Sequence, residues 1–189
     1  GEALREILAK SQETVNVVEW HDFYRRVLGR DVDLTNLHIP EKPNYPCRAL
    51  VIPQDVTANE LYDACAKRFK CWKYTNDLNA ITDIVSRPDG SYVILVRDGQ
   101  DADEEMKNIS ANQIKERGVN TETLKERLIH ELKFHDETGE HLDVHNWTLC
   151  AGSRDSRGDV PGVRWSGGMY VSWYYPVYRY VDLRARAAV

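Results

Sequence analysis

Beyond Gly139 this sequence no longer carries the pattern of a helix, and that switch constrains the fold more than any other feature. Just before it lies the clearest helical run of the chain, ETLKERLIHELKFHDETG. There Leu124, Leu128, Leu132 and His135 fall on one stripe, with Ile129 beside it. Asn120 or Thr121 is placed to cap its start, and Gly139 to stop it. After the glycine, LDVHNWTLC, VPGVRW and MYVSWYY read as strands joined by Gly-rich turns. Helices and strands in mixed order, with a β-rich end, predict an α+β fold.

The first half supplies the remaining elements. Leu4, Ile7, Leu8, Val17, Val18, Phe23, Tyr24, Val27 and Leu28 recur near the helical period, so residues 3–28 predict a helix ended by Gly29. Three prolines make Asp31–Pro46 an ordered loop, and RALVIP a short buried strand. Thr57 followed by Glu60 forms a capping box, which starts a helix with Leu61, Ala64, Cys65 and Phe69 inward. Residues 73–86 give no clear pattern. Pro88-Asp89-Gly90 is a turn that leads into the strand SYVILVRD. Residues 101–118 read as a loop and a short helix.

The final strands carry the information about function. If MYVSWYY alternates, Val171 and Trp173 share one face, and Tyr170, Ser172 and Tyr174 the other. VPGVRW likewise sets Val163 and Trp165 against Arg164 and Ser166. The valines and tryptophans make a core face; the opposite face shows Tyr, Ser and Arg. No lysine follows Lys133, while Arg154, Arg157, Arg164, Arg179, Arg184 and Arg186 all do. Arginine and aromatics without lysine is an interface composition. Tyr with Ser and Gly is also the vocabulary of antibody binding loops. A plainer reading stays open: tyrosines are good strand formers, and Arg179, Arg184 and Arg186 can turn inward to pin carbonyls and carboxylates.

Composition narrows the classes. A net charge of −5 argues against a general nucleic-acid binder, and phosphate affinity needs several cations. No apolar run approaches the roughly 20 residues of a membrane helix. GEALREILAKSQETV lacks a basic flank and apolar core, so no signal peptide and a cytoplasmic location are expected, with surface or virion display left open. Cys47, Cys65, Cys71 and Cys150 form no CxxC pair and read as free thiols.

The residues CAGSR-x-S, VPGVRW, VSWYYPVYR and LRARAAV together resemble the C-terminal variable region of diversity-generating retroelement target proteins. Ala151-Gly152-Ser153-Arg154 stands where that family has GGSW, Pro176-x-x-Arg179 at its proline–arginine step, and Leu183-Arg184-Ala185-Arg186 at its closing GFR. Arg154 departs from the Trp of GGSW, and LRAR from GFR. The upstream runs RDGQDADEEMKNISANQIKERG and HDETGEHLD are similar to proteins of the same kind, so the resemblance spans Arg87–Val189.

It implies a C-type-lectin-like (formylglycine-generating-enzyme-like) domain over 87–189, with a variable ligand-binding region near 151–189. A mainly helical region of unassigned role, 1–86, would precede it. It also implies that adenine-directed mutagenesis varies the codons of the binding surface. With the strand alternation, the ligand-facing positions become Asp155, Arg157, Asp159, Gly162, Arg164, Ser166, Tyr170, Ser172, Tyr174, Tyr175, Val177, Tyr178, Tyr180 and Val181. Gly152, Ser153, Trp165, Trp173, Pro176, Arg179, Leu183, Arg184 and Arg186 become scaffold; tryptophan codons contain no adenine. The expected function is non-enzymatic binding of a protein or glycan, without cofactor or metal and with no prediction of oligomeric state.

Three rivals stand beside it. HELKFHDETGEHLDVH holds His130, His135, His141 and His145, a candidate metal set. Yet a five-residue spacing turns the first two about 140° apart on a helix. Cys150 is a candidate lone nucleophile for a cysteine enzyme of the same fold, although that chemistry in the family uses a cysteine pair. Sugar-binding calcium lectins carry EPN or QPD and WND motifs, which do not occur here. A Tyr/Arg face also suits single-stranded nucleic acid, against the acidic total.

Overall fold

The computed structural model describes residues 15–189 and is a mixed α+β fold. The predicted helix over 3–28 is observed as α1 (Val17–Leu28), capped by the Asn16 side chain and ended by Gly29 at φ 70°. Its expected Leu4, Ile7 and Leu8 lie outside the described residues. The Pro-rich loop leads to β1 (Cys47–Ile52), then α2 (Ala58–Ala66). Thr57 caps α2, but only half of the expected capping box forms. The Glu60 carboxylate turns instead to Arg30 at 2.7 and 2.9 Å. Phe69 falls past the end of α2 and is half-buried there.

β2 (Cys71–Lys73) follows, and the unpatterned stretch after it holds a 3-10 turn and β3 (Thr82–Asp83). β4 (Tyr92–Arg97) follows the Pro88-Asp89-Gly90 turn, then α3 (Ala111–Glu116) and α4 (Leu124–Thr138). The end of the chain gives β5 (Trp147–Leu149), β6 (Ser153–Arg154), β7 (Val160–Trp165), β8 (Met169–Tyr174) and β9 (Leu183–Arg184).

The cap of α4 is Thr123, with a full capping box to Glu126, and not Asn120 or Thr121. The reason is tertiary. Thr121 bridges Ala187, and the Glu122 N–H donates to the Arg186 carbonyl, so this backbone is already committed to the returning C-terminus. Gly139 ends the helix at φ 73°, as expected.

α4 is the centre of the molecule rather than an amphipathic surface helix. Besides its leucine stripe it buries Arg127, His130, Glu131 and Lys133. One large core packs α1, α2 and α4 around β1, β4 and the inner face of a five-stranded sheet ordered β2-β8-β7-β5-β9. α1 is pinned through Lys133. Its ammonium donates to Glu19 at 2.6 Å and lies 4.6 Å over the Trp20 ring and 5.0 Å over the Phe23 ring. A smaller core of Met106, Ile109, Ala111, Ile114, Leu149, Val160 and Ala185 covers part of the sheet's other face.

The division expected at residue 86 runs through paired strands. β1 pairs with β4, β2 lies parallel to β8, and β3 pairs with β6. Residues 15–86 carry three strands beside two helices, so this region supplies sheet as well as helix. Strands of two or three residues are too short to show a period, which is why their pairing is invisible in the sequence. Among the described residues, no helix is long and apolar enough to cross a membrane.

Candidate ligand-binding face

The hairpin of β7 and β8 sets the site. Its register pairs Val163 with Val171, Arg164 with Tyr170 and Trp165 with Met169. Side chains alternate from this register. Val163, Met169 and Val171 are fully buried on the inner face. Trp165 joins that side, packed flat on the His141 ring with centroids 3.4 Å apart. Arg164, Tyr170, Ser172 and Tyr174 point the other way, as the alternation required.

On that outer face the side chains form one continuous strip. It starts at Trp72, brought beside Tyr170 by the parallel pairing of β2 with β8, with ring centroids 6.2 Å apart. Arg164 is opposite Tyr170 and places its guanidinium 5.6 Å from the Trp147 ring. Trp147 meets Tyr174 edge-on at 5.5 Å. Tyr174 stacks on Tyr178 at 5.8 Å, and Tyr178 contacts Tyr180 at 5.4 Å. Trp72, Tyr178, Val177 and Val181 are all exposed. Ser166 is exposed in the β7–β8 turn. Trp72 and Trp147 were not among the sequence candidates. Their side of the sheet depends on pairings with distant strands.

Four expected positions are corrected. Gly162 is buried, and a Cβ built on it would meet Tyr174 ring carbons at 2.7 and 3.0 Å. Asp159 is buried at 7% exposure, beside a cleft apart from the strip. Tyr174 is half-buried against the smaller core, and burial, then the neighbouring Tyr180 hydroxyl, raises its phenol above the usual range. Trp173, expected in the core, lies at the end of β8, where the Tyr74–Ile81 segment and not a helix stands opposite. It is half-exposed and meets Tyr175 edge-on at 5.0 Å. Asp155 and Arg157 line the same cleft as Trp173.

Gly162 yields a test of the packing. Gly162→Ala should cost about 1–3 kcal/mol, because Tyr174 is held by Trp147, Tyr178 and Tyr180 and has little room to give. Urea denaturation reads the loss. In a Tyr174→Ala background the same change should cost much less, since the ring it strikes is gone.

Most scaffold positions act as braces. Gly152 packs its Cα against the Thr121 and Glu122 carbonyls, where a Cβ would sit at 2.9 and 3.2 Å. The Ser153 hydroxyl accepts from the Leu124 N–H at 3.0 Å and donates to Asp83 at 2.9 Å. Leu183 is fully buried, and the Pro176 carbonyl accepts from the Asn112 N–H. Arg184 donates to the Ala102 carbonyl and pairs with Glu104. Arg186 turns fully inward, as the plainer reading of these arginines allowed. Arg179 is exposed and joins none of these braces.

The four histidines go to separate tasks. His130 is buried against Glu122, with 2.8 Å between Nδ1 and Oε1. His135 and His141 stack on each other at 4.5 Å, and His141 holds Glu131 at 2.7 Å. His145 is exposed near Asp101. Among the described residues, no group of His, Cys, Asp or Glu is arranged to hold a metal ion. Cys150 has no solvent access, and burial raises its thiol well above the ordinary range, which disfavours the thiolate a nucleophile needs.

Compared with known proteins, the chain matches no family model, no curated protein and no solved structure.

Proposed function

We propose that this chain is a non-enzymatic binding protein, diversified by a retroelement, whose C-terminal half is a C-type-lectin-like domain. The observation that carries the reading is the strip from Trp72 through Tyr170, Arg164, Trp147 and Tyr174 to Tyr178 and Tyr180. Rigid aromatic rings offer large contact area at low entropy cost, and tyrosine hydroxyls add polar specificity. From Trp72 to Tyr174 the strip stands on paired strands, so its backbone there stays fixed when side chains change, while Tyr178 and Tyr180 lie in the loop after β8.

The partner is a protein or a glycan. A protein surface suits stacked Tyr and Arg anchors; a sugar suits exposed Trp and Tyr faces. The strip offers one guanidinium, Arg164, which is too little positive charge for a nucleic-acid backbone. The positions open to diversification without disturbing a core are Arg164, Ser166, Tyr170, Ser172, Tyr175, Val177, Tyr178, Tyr180 and Val181.

Sequencing the gene with its flanking DNA from the source population tests this reading. The expected result is a neighbouring reverse transcriptase and a non-coding near-copy of the 3′ end that differs mainly at adenines. Codon variation should fall on the exposed strip and spare codon 162. If no copy exists and the tyrosine codons are invariant among cells, the reading is overturned.

A further inference from the structure

We propose that the cleft between the Tyr74–Ile81 segment and the Asp155–Asp159 turn binds one organic cation of side-chain size, a guanidinium or alkylammonium group. The cleft is distinct from the aromatic strip, and the proposal does not depend on retroelement diversification. Its volume is about 260 Å3. Pockets for drug-sized ligands run about 300–1,000 Å3, so this one suits a single basic side chain or a small amine.

Asp159 is the first reason. It is 7% exposed and lines the cleft. Its backbone N–H donates to Asp155 Oδ1 at 2.9 Å, but among the described residues its carboxylate accepts no hydrogen bond and joins no ion pair. Neither of its oxygens is among the fully buried atoms left without a partner, so the carboxylate opens into the cleft, where a cation would pair with it.

The surroundings select the type of cation. Asp155 is held rigid: Oδ1 accepts the Arg157 and Asp159 N–H groups at 2.9 Å, and Oδ2 accepts the Tyr74 hydroxyl at 2.9 Å. It contributes charge without being free to wrap an ion. Asp77 spends Oδ1 on Asn59 and on the Asn79 N–H. Three carboxylates thus face the cleft against one guanidinium, that of Arg157. Calcium needs six to eight oxygens drawn to one point, and these carboxylates are not arranged to hold a metal ion. Trp173 and Tyr74 add aromatic walls, and an aromatic face attracts an organic cation. A neutral ligand would leave Asp159 unsatisfied.

The test titrates N-acetyl-arginine amide into the 15N-labelled protein and follows the Trp173 indole N–H, assigned by its loss in Trp173→Phe. A saturable shift is expected. The neutral isostere N-acetyl-citrulline amide should bind at least about tenfold more weakly, and Asp159→Asn should weaken arginine-amide binding about tenfold. Calcium chloride should not displace the probe at matched ionic strength. No saturable shift, equal binding of the citrulline compound, or displacement by calcium overturns the proposal. If Asp159→Asn fails to fold, the exposed Asp77→Asn is read in its place, and the arginine–citrulline comparison on the unaltered protein still decides.

Discussion

Arg186→Met should cost about 3–5 kcal/mol of folding stability, a large share of the about 5–15 kcal/mol that native proteins commonly have. Arg186 is 1% exposed and spends its guanidinium on four partners. Nε donates to Thr148 Oγ1 at 3.0 Å, one terminal nitrogen to the Gly99 carbonyl at 3.1 Å, and the other to the Gln100 carbonyl and Asp143 Oδ1, both at 2.8 Å. Asp143 is fully buried and also holds Arg127, the Ala102 N–H, Asn146 and the Thr148 hydroxyl. Burial pushes the Asp143 carboxyl up, but Arg186 and Arg127 outweigh it and hold it below its ordinary range. Methionine would fill the space and leave these acceptors unanswered. Arg186→Lys should rescue little, because an ammonium cannot reach four acceptors set for a planar fork. Arg179→Met, on an exposed side chain, should change stability by under about 0.5 kcal/mol. Urea denaturation measures all three. A loss under about 1 kcal/mol for Arg186→Met would show that this network does not hold the C-terminus in place.

Glu122→Gln should change the pH dependence of stability by a similar amount. Glu122 is fully buried, with Oε1 on His130 Nδ1 and Oε2 without a partner among the described residues. Burial pushes its pKa to about 8, against the pull of Arg186 and Arg127. Burial, with the same two arginines, holds His130 well below its ordinary value. At pH 7 both groups are therefore neutral. A carboxyl with a raised folded pKa binds its proton more tightly when folded. Its contribution is fully present below the unfolded value near 4.5 and is lost as pH rises towards 8. The loss approaches about 5 kcal/mol, at about 1.4 kcal/mol per pH unit across the window. Glutamine has no such proton, so its stability advantage over the wild type should grow by that slope from pH 4.5 to 8 and then level off. His130 acts in the opposite direction at lower pH but is common to both proteins. Parallel stability curves would show that Glu122 ionises freely in the fold.

Much of the local structure was legible because its causes are local. Gly29 and Gly139 stop their helices, Thr57 starts one, Pro88-Asp89-Gly90 turns the chain, and RALVIP and SYVILVRD form strands. The two-residue period placed Val163 and Val171 on the core face, and Arg164 and Tyr170 each on the outer face of its own strand. That half of the candidate site follows from the alternation of a strand, which depends on nothing beyond the strand itself.

The rest was decided by partners distant in sequence. Trp72 reaches the strip only because β2 lies parallel to β8, and Trp147 because β5 pairs with β7. Trp173 obeys the alternation yet leaves the core, because the element opposite it is a loop. Gly162 becomes fixed only when Tyr174 lies over it. The charges of α4 look like a solvated face until Asp143, Arg87 and Glu19 arrive to pair with them. Sequence by itself determined where the longer helices and strands lie and which way the long strands face, since backbone sterics and side-chain period act between near neighbours. Tertiary structure decided which charges are buried and which aromatics stand together, since both depend on contacts that close only when remote segments meet.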